Sequence, residues 1–175
     1  MKEIRLEIQN TSGNTRFILS DLPTTIEELE SIDRSNFQKP QFVCAMFIAV
    51  MKNFNNDPEE TFKMLNYLKG PVELSTYEKQ FLKERMEKPY VVDSYFEGTS
   101  PENNYMVKAP YILNVMDNRY TYHTEDVAKF FMKSSGSDNE RPITVRQKKS
   151  TGEWFLYDQM LLADIKAPIS DDPWY

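Results

Sequence analysis

The stretch "KPQFVCAMFIAVMKNF" constrains this chain more than any other. Pro40 suits the first turn of a helix, and from Phe42 to Met51 the side chains are apolar around nearly the full circumference. A helix of that kind has no face to offer water, so it belongs in the centre of a core with other elements on every side. It is too short to cross a membrane, for which about 18 or more consecutive apolar residues are needed. The lone cysteine, Cys44, sits inside it and reads as a small core residue, which excludes an internal disulfide and a cysteine-based zinc site.

Around that helix the sequence supplies further elements with their own boundaries. Thr25 with Glu28, Asp57 with Glu60, and Ser75 with Glu78 have the spacing of capping boxes, and each opens an amphipathic run. Pro58 stands at a first helical turn, Gly70 and Pro71 stop that helix, and Pro89 follows the last one. Before the helices, Ile4, Leu6 and Ile8 alternate with charged residues, and "NTSGN" then "RFIL" completes an opening hairpin. After Pro89 the pattern changes to aromatic and β-branched runs. Four strands are expected near 110–116, 127–134, 142–149 and 153–158, the last two forming a hairpin over "STG". The expected fold is α+β, one domain over 1–175, with a helical half at about 22–88 packed on one face of an antiparallel sheet built from a strand half at about 90–166.

Composition narrows the function classes. With 21 basic and 27 acidic residues the net charge is −6, so nucleic acid is not an expected partner. The opening "MKEIRLEIQNTSG" contains no apolar run of signal-peptide length and no segment approaches a membrane span, so the chain is expected to be cytoplasmic with no membrane partner. Its one histidine, His123, stands in "YTYHTED" beside Glu125 and Asp126, and reads as a turn residue or a general base. Nucleophile-elbow, phosphate-loop and dinucleotide signatures are absent, and five glycines leave little material for a phosphate cradle. No residue is nominated for catalysis, for a metal or for a cofactor.

The stretch "SYFEGTSPENNY" is the candidate site. Glu102, Asn103 and Asn104 lie between Tyr95 and Tyr105, polar groups between aromatic walls, in a chain with ten tyrosines, eleven phenylalanines and two tryptophans. The same residues also suit an ordered crossover, because asparagine, proline and glycine make turns and cap backbone groups. The functional expectation is a binding or interaction domain that uses residues 95–105 for a protein or a small polar ligand. The alternative is a pocket protein or enzyme with Tyr122, His123 or a buried carboxylate at a cavity. Homo-oligomer formation through the sheet face or through "SDDPWY" is compatible with either, and Trp174 and Tyr175 are expected to fold back on their own chain.

The stretches "YFEGTSPENNY", "KSSGSDNERPITVRQKKSTGEWFLYD" and "KAPISDDPWY" together resemble a family of uncharacterised bacterial proteins classed as a domain of unknown function. The resemblance spans about 90–175 and implies no activity, cofactor or catalytic residue. A looser likeness, to the cone-shaped α+β fold of nuclear-transport-factor-like proteins, concerns the strand patterns alone.

Overall fold

The computed structural model describes residues 1–175. Strands β1 (Leu6–Thr11) and β2 (Asn14–Leu19) form the opening hairpin around Gly13, whose φ of 77° suits the tight turn. Thr15, Phe17 and Leu19 of β2 point inward, the period-2 signature of a half-buried strand. Five helices follow: α1 (Ile26–Glu30), α2 (Pro40–Met51), α3 (Pro58–Lys69), α4 (Thr76–Arg85) and α5 (Tyr90–Asp93), with a 3₁₀ turn at Arg34–Gln38. The chain then completes the sheet with β3 (Tyr111–Met116), β4 (Val127–Met132), β5 (Arg141–Gln147) and β6 (Trp154–Gln159).

All six strands lie in one antiparallel sheet in chain order, β1 to β6. The fold is therefore α+β, but its helices do not precede the sheet. They are inserted within it, because β2 pairs with β3 along its whole length, from Asn14 opposite Met116 to Leu19 opposite Tyr111. The segment Tyr90–Phe96, which falls in the expected strand half, begins as helical turn α5; only Phe96 reaches the sheet, bridging to Leu113. Pro89 at the N-cap starts a turn there, and burial of Val91 and Val92 against the core outweighs their β preference.

Helix α2 lies across strands β2 to β6 and against α3, and every residue from Phe42 to Met51 is buried. It belongs to a continuous core of 41 apolar residues that also takes in the inner faces of the strands. Burial of Cys44 pushes its thiol well above the ordinary range, which removes it as a nucleophile.

The full capping box forms at α4, where Ser75 accepts from Glu78 N and Glu78 accepts from Ser75 N; at α1 Thr25 accepts from Glu28 N with no return bond. At α3, Asp57 accepts from Glu60 N, but Glu60 does not return to its own cap; its Oε1 accepts from Ile26 N at 2.8 Å and fastens α3 to the start of α1. Glu28 is likewise diverted. Its carboxylate accepts from Lys2 N, Thr24 N and the Thr24 hydroxyl at 2.9–3.0 Å. Burial alone would push this carboxyl up, but those donors and the Lys2 ammonium outweigh it and hold it below its ordinary value. A lowered folded-state value contributes stability that is present above the ordinary pKa of 4.5 and lost as pH falls through the folded value. Glu28→Ala should therefore cost about 2–3 kcal/mol near neutral pH, since hydrogen bonds to a charged group contribute about that much. The variant should also lose less further stability than the wild type on acidification. Urea unfolding at neutral and at acid pH measures both effects, and a variant as stable as wild type at neutral pH contradicts the assignment.

Candidate functional site

The loop singled out in the sequence is an ordered crossover held at both ends. Ser100 and Asn103 form a reciprocal cap around a 3₁₀ turn at Pro101–Asn103, and Asn103 also donates to Gly98 O at 2.9 Å. Asn104 takes the left-handed conformation, φ 56°, a region that asparagine tolerates better than most residues, and its Oδ1 accepts from Ser170 N. Tyr95 and Tyr105 line neither the cleft nor the groove described below. Both are buried, their hydroxyls donate to the carbonyls of Leu161 and Lys166, and the Tyr105 ring stacks on Tyr90 at 5.7 Å. Burial pushes the Tyr105 hydroxyl up to about 12. Among the five, Glu102 is exposed and its carboxylate has no hydrogen bond or ion pair, and the exposed Asn104 keeps its Nδ2 free.

Three stretches of the sequence meet here. Ser134 donates to the Ser94 hydroxyl at 2.7 Å, Ser135 N and its hydroxyl both bond to Ser94 O, and Lys166 N donates to Gly136 O. Gly136 leaves room for the Tyr105 hydroxyl, on which a Cβ would collide. The loop at 94–105, the β4–β5 connection and the segment after β6 are thus locked together.

A polar cleft of about 430 Å³ opens at the two feet of that crossover. Asp93 stands just before the loop, and Val107 and Tyr111 just after it. The facing wall is the α2–α3 connection, Lys52 to Asn56, with Thr24 and Asp21 from the link between β2 and α1. Lys52 Nζ lies 2.8 Å from Asp93 Oδ1, with the lysine side chain 37% and the aspartate side chain 18% exposed. Lys52 caps the C-terminal end of α2, where the helix dipole favours a cation. Phe54, packed edge-on against Phe62, anchors the connection, in which Asn55 and Asn56 are exposed while Asn53 is buried.

Burial pushes the Asp93 carboxyl above its ordinary value, and Lys52 offsets only part of that rise. A partly buried carboxylate with a raised pKa in a polar cleft is the kind of group that ligand sites collect. The amides beside it are only partly used. Asn53 donates to Thr24 O and Asn55 to Met86 O, whereas the Asn56 side chain bonds to no protein group. Lys2 and Lys52 balance Asp21 and Asp93, so the cleft favours neither anion nor cation overall. It can hold a neutral or zwitterionic molecule through several hydrogen bonds.

Tyr122 and His123 line neither this cleft nor the groove described below. Tyr122 packs edge-on against Phe130 and Trp154, and His123 is exposed in the turn. The Lys52–Asp93 pair escaped the sequence reading because its partners sit in separate helical elements. The density of asparagine in "KNFNND" is the one local signal by which the sequence could have shown this wall.

The family described as Domain of unknown function (DUF6935) matches residues 21–169, well over half of the chain. The chain belongs to that family. The DUF6935 match takes in all five helices and β3 to β6, hence nearly all of the cleft, and leaves out the opening hairpin. No curated protein and no solved structure matches. No helix is long and apolar enough to cross a membrane.

Proposed function

We propose that this protein is a non-catalytic binding domain that takes a small, neutral or zwitterionic polar ligand in the Lys52–Asp93 cleft. The observation that carries the proposal is the close pair itself, a carboxylate held above its ordinary pKa beside side-chain amides with unused hydrogen-bonding capacity. A ligand that donates to Asp93 and accepts from Lys52 or Asn56 would replace water at groups already fixed by the fold, with little ordering cost.

Titration of ¹⁵N-labelled protein with N-acetylglucosamine and with glutamine, as neutral and zwitterionic probes, tests this. Saturable shifts should concentrate at Thr24, Lys52 to Asn56 and Asp93. Asn56→Ala should weaken binding about tenfold or more, about 1.4 kcal/mol, while leaving the unfolding midpoint near that of wild type; Lys52→Met should weaken binding as much and also lower the midpoint at neutral pH, because it leaves the Asp93 carboxylate unpaired. Absent or scattered shifts would overturn the assignment. Shifts centred on Glu102 to Asn104 would instead place the site on the exposed arc of the crossover, where Glu102 has its free carboxylate.

A further inference from the structure

We propose that the segment Ile169–Tyr175 of one copy docks in the groove beside β6 of a second copy. Trp174 and Tyr175 do not fold back: they are 94% and 84% exposed, Trp174 more so than any other large apolar side chain in the protein. The segment is nevertheless built. It forms a 3₁₀ turn at Ile169–Asp171, Ser170 N is held by Asn104, and Asp172 accepts from Trp174 N at 2.8 Å. An exposed indole on a pre-shaped turn loses little freedom on docking.

The groove matches it in shape and charge. Strand β6 is an edge of the sheet, and a bulge where β5 passes from Thr144 to Val145 leaves Tyr157 between the paired Leu156 and Asp158, turned outward and half exposed. Beside it lies a groove of about 540 Å³ with Val72, Phe155 and Tyr157 as apolar walls and Arg146 and Lys148 at its rim. It continues into a second hollow of about 240 Å³ that includes Leu74, Tyr77 and Phe81. Arg146 sits over the Tyr157 ring, and neither Arg146 nor Lys148 has an ion-pair partner. Asp171 and Asp172 bring the complementary charge, and the indole can lie against Val72 and Tyr157 beneath Arg146. Because each copy carries both groove and segment, reciprocal exchange closes a symmetric dimer.

Sedimentation velocity of the full chain across a wide concentration range, with tryptophan fluorescence in parallel, tests the proposal. Wild type should dimerise with rising concentration, and its emission should shift to shorter wavelength as Trp174 leaves water, over a constant contribution from the buried Trp154. Trp174→Ala should weaken dimerisation about tenfold or more, as should Arg146→Glu. Asp171→Arg with Asp172→Arg should weaken it too, and combination with Arg146→Glu and Lys148→Glu should restore part of the loss. Trp174, Arg146, Lys148 and Asp171 are exposed, and Asp172 is half-buried with the Trp174 N–H as its side chain's one bond, so the variants should keep the folded core of wild type. A monomer at all concentrations, or a dimer unchanged by Trp174→Ala, would overturn the proposal.

Discussion

An aspartate placed at Val43, Cys44, Ala45, Met46 or Phe47 should leave no folded protein. Five consecutive positions sweep more than one full turn of α2, so between them they sample every side of the helix. Each is at most 1% exposed, and the space around them is filled by strands on one side and α3 on the other. A carboxylate buried without a partner costs several kcal/mol even after it takes up a proton, against a total stability of about 5–15 kcal/mol for a typical domain. An ordinary amphipathic helix would tolerate the charge at one or two of the five. Circular dichroism and soluble yield distinguish the cases, and one tolerated position would show a face of α2 open to water.

Gly70→Ala is the second severe change. Gly70 ends α3 with φ 68° and ψ −119°, a conformation that L side chains rarely adopt, and an added Cβ would run into the Phe155 ring. That ring cannot easily give way. It packs on Phe37 at 5.6 Å, and the Arg34 guanidinium lies over Phe37 and Tyr67 while its Nε donates to Glu153 at 2.6 Å. Backbone strain and overpacking each contribute about 1–3 kcal/mol, so the substitution should cost about 2–6 kcal/mol. Gly98→Ala is the control, because φ there is also positive but a Cβ would meet no atom within 4 Å. It should cost only the strain. Equal midpoint shifts for the two in urea would mean that α3 does not close against Phe155.

How far the sequence reaches is clear from these same elements. The caps at Thr25, Asp57 and Ser75, the all-round burial of α2 and the β5–β6 hairpin depend on neighbours within a few residues, and the sequence displays them. The pairing of β2 with β3 does not, because nothing local tells Asn14 to face Met116 across the whole helical insertion. The diversion of Glu28 and Glu60 is hidden for the same reason: the spacing of a capping box is present, but tertiary partners compete for the carboxylate. At the candidate site, the composition of 95–105 is legible while the direction of its side chains is not. Tyr95 and Tyr105 turn inward to buried carbonyls, and the free polar groups gather at the feet of the loop, around Lys52 and Asp93.

Direct titration of Asp93 by carboxyl ¹³C chemical shift tests the cleft most closely. Burial outweighs Lys52, so Asp93 should titrate above the ordinary aspartate value of 3.8, and Lys52→Met should move it higher still. With a raised folded-state value, the part of the stability that Asp93 supplies is fully present below the ordinary value and declines as pH rises through the folded one, opposite in sign to Glu28. An Asp93 that titrates at or below the ordinary value, or that ignores Lys52→Met, would contradict a desolvated pair held ready for a ligand.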